Sequence, residues 1–167
     1  LALNSDINLL DWMDILYKKQ FDLIISFQSI HYVNDLDKMS SDLDKLLKPK
    51  SKIVIASTTH QQFSELPYCL FFPKVLEIEV NRTPDFDKIV KAFSSRNFRI
   101  LHTSDFKINK KFKNSNEVRD WLLQKPFSAL ALLSKADFKI GLHKFAQNFT
   151  NEMLVDEFTL LVMEKSE

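Results

Sequence analysis

The residues with the most chemical potential in this chain stand at the ends of two short apolar runs. Ser26 and Phe27 close the run Phe21-Asp22-Leu23-Ile24-Ile25, and His31-Tyr32 follow a few residues later. A neutral imidazole at position 31 has the chemistry of a general base, or of a donor that orients a substrate carboxylate. A lone histidine beside an apolar strand is more often a packed, hydrogen-bonded structural residue, and the catalytic reading stays open beside it. Tyr32 either walls a pocket or fills a core. Thr58, Thr59 and His60 close the second run, Ile53-Val54-Ile55-Ala56-Ser57. They are placed to touch a substrate, although loops are polar by default. Cys69, between Tyr68 and Leu70, reads as a small buried hydrophobe rather than a nucleophile. It is the only cysteine, so no disulfide and no cysteine-based metal site is expected.

Elements must hold these residues in place. Phe21 to Ser26 is short and isoleucine-rich, and reads as a strand buried on both faces, as in parallel sheets. Asp22 within it then needs a partner, because an unpaired buried carboxylate costs several kcal/mol. Asn34 caps a helix with Leu36, Met39, Leu43, Leu46 and Leu47 at helical spacing, ended by Pro49. Ser51 to Ser57 is a second buried strand, which makes the unit a right-handed parallel crossover. Open α/β sheets bind ligands at the carboxyl ends of such strands, where Ser26, Phe27, Thr58 and His60 lie.

Further along, Thr58 to Pro73 reads as a loop or short helical insert, and Val75 to Val80 as a strand or extended piece. A helix opens at Thr83-Pro84-Asp85, and Phe98 to Ser104 alternates as a strand. Ile108 to Phe112 follows as a separate piece, inside the segment Lys107 to Lys113, which is basic with phenylalanine interleaved. In a net-neutral chain it reads as a lysine-guarded edge strand. A capped helix passes through Trp121. Helical pieces follow at 127–133 and 135–148, the latter split near Gly141, and Phe158 to Met163 is a closing strand.

A chain of 167 residues reads as one domain able to bury roughly 70% of its extended surface. With 23 basic against 22 acidic residues there is no electrostatic case for nucleic acid or an anionic membrane as partner. No apolar run has the length of a membrane span. The reduced lone cysteine fits a cytoplasmic setting. Gly141 is the only glycine, so glycine-rich phosphate and dinucleotide fingerprints are absent from this sequence.

Taken in order, these elements match a known pattern. Phe21-Asp22-Leu23-Ile24-Ile25-Ser26 resembles the fourth strand of class I S-adenosylmethionine-dependent methyltransferases. Ile30-His31-Tyr32-Val33 resembles the "LHWV" element that follows it in small-molecule and carboxylate methyltransferases, such as the trans-aconitate and malonyl-carrier-protein types. Leu46-Leu47-Lys48-Pro49-Lys50-Ser51 looks like the family's "LLKPGG" turn, with Lys50 and Ser51 in place of the two glycines. Phe158 to Lys165 looks like its final strand, and the stretch around Trp121 resembles its substrate-covering insertion.

The resemblance implies an α/β fold: a partial Rossmann-like sheet of about strands four to seven, the last antiparallel, with flanking helices and a helical cap. It implies S-adenosylmethionine as cofactor, touched by Ser26, Phe27 and His31. Asp6-Ile7 corresponds to the acidic-hydrophobic pair at the adenine, or Asp11-Trp12 does in another register. Tyr32, Thr58 and His60 face the substrate. The implied activity is methyl transfer to a small molecule, with a carboxylate or hydroxyl oxygen favoured. The glycine-rich turn and the acidic end of strand two have no counterpart, so the N-terminal cofactor-binding half is read as missing from 1–167. Leu1 in place of Met reads as a processing boundary or the edge of a larger domain. Alone, the chain is expected to be inactive. It would then work with a complementing N-terminal segment or, as a non-catalytic binding module, as a homodimer through the exposed edge of its first strand.

Overall fold

The structure, a computed structural model, describes residues 20–148 and 150–167. Asp6, Ile7 and the alternative pair Asp11-Trp12 lie outside the described residues.

The chain opens with β1 (Phe21–Phe27), a 3-10 turn (Ile30–Tyr32), α1 (Leu36–Leu46) and β2 (Leu47–Ser57). Three helices follow: α2 (His60–Glu65), α3 (Pro67–Phe71) and α4 (Pro73–Arg82). Next come α5 (Phe86–Ser94), β3 (Phe98–Lys111), α6 (Ser115–Leu123), α7 (Ser128–Ala131), α8 (Lys135–Gln147) and β4 (Glu152–Lys165). The four strands form one sheet in the order β1-β2-β4-β3. β1 and β2 run parallel and β4 runs antiparallel to β2, the mixed arrangement expected from the sequence.

Local chemistry explains the helix ends. Asp35 accepts from the Lys38 amide at 2.8 Å and starts α1, and Asp85 caps α5. Thr59 and Gln62 form a reciprocal capping box at α2. Pro49 lies within β2 rather than at the end of α1, which stops at Leu46.

The residues divide into two compact units. The first comprises 20–57, 83–105 and 159–167 among the described residues, and the second 58–82 and 106–158. Each has its own core. In the first, Ile53 and Ile55 of β2 and Leu161 and Met163 of β4 bury with Ile30, Ile89 and Phe93. In the second, Phe63, Leu66, Tyr68, Phe72, Leu122 and Phe145 anchor the interior.

Several expectations are corrected. β1 is not buried on both faces: Leu23, Ile25 and Phe27, which share one face by the two-residue period, are 49%, 62% and 59% exposed. Among the described residues β1 pairs with β2 alone, so it is an edge strand. Asp22 is accordingly exposed and takes a salt bridge from Lys48 Nζ at 2.8 Å. The segment 75–80 is helical, inside α4, because Val75 and Glu79, one turn apart, are the positions that bury. The segment expected at 108–112 is not separate: residues 108–111 continue β3. Helix α8 runs unbroken through Gly141, where a Cβ would stand 2.1 Å from the Phe72 ring. The glycine is there for close approach of a ring rather than to break the helix.

Among the described residues, four non-glycine residues have left-handed backbones: Gln28, Lys50, Asn97 and Lys125. Lys50 stands at φ 62° where the resembling turn has glycine. A Cβ in that region costs about 1–2 kcal/mol, and the extra unfolded-state freedom of glycine returns part of it. Its salt bridge to Glu167, exposed at both ends, offsets little. Lys50→Gly is therefore expected to stabilise the protein by about 0.5–1 kcal/mol, read as a higher midpoint in urea denaturation.

Candidate functional site

In the first unit, β1 ends beside β2, with Phe27 in register with Ala56. The Gln28 amide donates to the Ala56 carbonyl at 2.9 Å and so turns the chain at φ 47°. That residue holds a backbone region that L side chains avoid, a form of local strain found often at ligand sites. The turn closes through Tyr32 N–H to the Ser29 carbonyl and Val33 N–H to the Ile30 carbonyl, both 3.0 Å. Ile30 is fully buried and pins the loop to the core.

This loop gathers Ser26, Phe27, His31 and Tyr32. The Ser26 and Ser29 hydroxyls lie 2.9 Å apart, and the His31 and Tyr32 rings are 4.1 Å between centroids at 48°. Ser26 and His31 are half-buried, whereas Phe27 and Tyr32 are more than half exposed. The loop therefore offers two ring faces for stacking, two hydroxyls and an imidazole for hydrogen bonding. These groups suit one side of a flat heterocyclic or amphipathic cofactor. The glycine-rich turn that would grip its other side is not in the sequence, whose one glycine packs on Phe72.

Thr58 and His60 belong to the second unit. Thr58 is 3% exposed and its hydroxyl donates to the Glu157 carbonyl at 2.8 Å. His60 is the first residue of α2 and is half-buried.

The second unit also holds a polar group that sequence reasoning missed. Arg82 forks onto the buried Glu79 carboxylate at 2.8 and 2.9 Å and reaches the Ser128 hydroxyl at 2.8 Å. The i,i+3 spacing of Glu79 and Arg82 was a readable signal, hidden once 75–80 was taken as extended. Tyr68 is buried and stacks on Phe127 with centroids 4.1 Å apart. Burial drives its phenol far above the usual range, and pushes the Cys69 thiol up to about 12. Cys69 is therefore a thiol at neutral pH and no nucleophile, as its apolar flanks suggested. Among the described residues, no group of three or more His, Cys, Asp or Glu side chains is arranged to hold a metal ion. No helix among them is long and apolar enough to cross a membrane.

Asp156 on β4 is pushed up to about 6, chiefly by burial; the Glu157 backbone pulls it back and the Glu79 charge adds to the rise. Its unfolded value is near 3.8, so the folded state holds the proton more tightly and stability falls as pH rises from about 4 to 6. The loss is complete once pH has passed through the folded value, about one unit above it. Asp156→Asn is expected to remove this slope and to raise the thermal midpoint at pH 7 but not at pH 3.5, checked by thermal unfolding across that range.

No protein-family model matches the chain, and no curated protein matches its sequence. Solved structures do resemble its fold. A protein described as a methyltransferase of an antibiotic biosynthesis pathway in Anabaena variabilis aligns with a TM-score of 0.65 at 13% identity, over 86% of this chain and 66% of that one. A protein described as a methyltransferase from Bacillus halodurans aligns with a TM-score of 0.52 at 14% identity, over 89% and 66%. The chain thus spans 66% of the length of each. At these identities the likeness establishes the fold, that of class I methyltransferases, as the motif order implied.

Proposed function

We propose that this chain is the C-terminal portion of an S-adenosylmethionine-dependent methyltransferase acting on a small molecule, with a carboxylate or hydroxyl oxygen as favoured acceptor. The observation that carries the reading is the strand order β1-β2-β4-β3 with β4 antiparallel, ending β1 in the loop that presents Phe27 and His31. The cofactor, when bound, supplies an electrophilic methyl group. Methyl transfer asks mainly that donor and acceptor be held in near-attack geometry, so no catalytic dyad is required.

In this reading Ser26, Phe27 and His31 contact the cofactor, with Asp6 and Ile7 at its adenine. Tyr32 contacts the acceptor, whereas Thr58, whose hydroxyl is buried on the Glu157 carbonyl, does not. His31 is placed to orient an oxygen acceptor or hold its proton. The cofactor grip comes from a preceding segment, and the setting is cytoplasmic. Calorimetric titration of S-adenosylhomocysteine into the full-length gene product is expected to give one-to-one binding, weakened several-fold by Phe27→Ala. No binding by that product would sink the reading.

A second reading, of a non-catalytic module that forms a homodimer through β1, is favoured by a different observation. A groove of about 350 Å³ runs beside β1, lined by Phe21, Leu23 and Ile25 with Met39, Leu43 and Leu46 of α1. β1 carries no lysine or arginine, whereas the opposite edge strand β3 carries Arg99, Lys107, Lys110 and Lys111. Under this reading the wild-type chain sediments as a dimer at micromolar concentration and Ile25→Lys as a monomer. A wild-type monomer in sedimentation velocity leaves the enzyme reading alone.

A further inference from the structure

The second unit has a cleft that the methyltransferase reading does not use. It holds about 260 Å³ between the α3–α4 junction and one face of α8. Asp137, Ile140, Gly141 and Lys144 line it in succession. Their i, i+3, i+4, i+7 spacing is one helix face, about 10 Å long.

The charges along that face are unequal. At one end Asp137 is paired: Lys74 Nζ stands at 2.8 Å and the Ser134 hydroxyl at 2.6 Å from Oδ2, and these contacts hold its carboxyl below the usual range. In the middle the surface is apolar, because Gly141 admits the Phe72 ring and Ile140 is 57% exposed. At the other end Lys144 lines the cleft with no acid partner among the described residues. Leu70 and Leu132, each next in sequence to a lining residue, are also more than half exposed. Apolar side chains gathered on a surface and rimmed by charge mark interaction sites more often than chance exposure does.

Size decides what fits. A cleft of this volume lies just under the range of small-molecule sites, and a 10 Å face is far too short for a stable protein interface. The occupant is then a small amphiphile whose tail lies on Ile140 and Phe72. Its head must be anionic, since the ion pair at Asp137 is already neutral and Lys144 supplies the one unmatched charge. We propose that this cleft binds a medium-chain aliphatic carboxylate, its tail along α8 and its carboxylate on Lys144 Nζ. The site is independent of the methyltransferase reading and lies within one unit.

Sodium decanoate below its micellar concentration is the probe, titrated calorimetrically into the full chain, with decyltrimethylammonium as a tail of the same length and opposite charge. Saturable one-to-one binding of decanoate, at least several-fold tighter than the cation, is expected. Lys144→Gln is expected to weaken decanoate about threefold to tenfold, the range for one partly exposed charge-assisted contact. Ile140→Asp is expected to abolish it. Both positions are exposed, so thermal unfolding of the variants should match wild type, which separates lost binding from lost folding. Non-saturable uptake, equal binding of the two amphiphiles, or wild-type affinity in Lys144→Gln would each overturn the proposal.

Discussion

Everything in the first unit hangs on β2 being hydrogen-bonded along both sides. Its residues 52–56 pair in parallel with 23–27 of β1 and, from the other flank, antiparallel with 160–164 of β4. Both flanks of that stretch are paired, and Ile53 and Ile55 bury almost completely because the face they share packs on Ile30, Ile89 and Phe93. The parallel pairing has a functional consequence. β1 and β2 must finish on the same side, at Phe27 and Ser57, so the chain leaves β1 through the loop that carries Ser26, His31 and Tyr32. A one-residue slip of β1 would turn Ile24 and Ser26 to the face that Leu23, Ile25 and Phe27 now occupy.

Where local chemistry decided an element, it was legible in the sequence. The helix opening at Thr83-Pro84-Asp85 and the parallel crossover follow from short-range pattern, the first helix is capped by Asp35 one residue after the expected Asn34, and the antiparallel last strand follows from the family resemblance. Where tertiary contact decided, the pattern misled. Val75-Leu76-Glu77-Ile78-Glu79-Val80 alternates like a strand, yet burying Glu79 against Arg82 requires a helix, and the fork between them has no counterpart in a β period. Gly141 reads as a breaker until the Phe72 ring is seen where its Cβ would be. The apolar run 21–27 reads as doubly buried because a sequence cannot state how many neighbours a strand has. For the candidate site, the loop residues were legible as a group. The Glu79–Arg82–Ser128 network and the burial of the Thr58 hydroxyl were not.

Scarcity of glycine is a constraint of a different kind. The chain needs left-handed backbone at four described positions and meets each with Gln, Lys, Asn or Lys. Asn at 97 is a mild choice, because its short polar side chain tolerates the region; lysine at 50 and 125 is not. Absence of glycine therefore does not by itself mean absence of tight turns, and the Lys48-Pro49-Lys50-Ser51 turn keeps its left-handed residue without it. What glycine alone supplies is close approach of a ligand to backbone, which a side chain blocks whatever its φ. The missing glycine-rich loop bears on cofactor binding for that reason, whereas the missing turn glycines do not.

The two edges of the sheet carry opposite treatments, and this says most about what the fold is for. β3 is a long edge with nearly every side chain in solvent, and it carries Arg99, Lys107, Lys110 and Lys111, charges that deter another strand from adding. Lys110 Nζ also lies over the Phe112 and Trp121 rings at 5.4 and 5.1 Å, within cation–π range. β1 carries one charge, Asp22, paired with Lys48 as Arg99, Lys107 and Lys111 of β3 are paired with Glu164, Glu157 and Glu152, and the rest of β1 is apolar or hydroxyl. Among the described residues, β1 is therefore the edge on which either reading of the function would place a cover. In the enzyme reading the cover is the segment that grips the cofactor, and in the dimer reading it is a second β1.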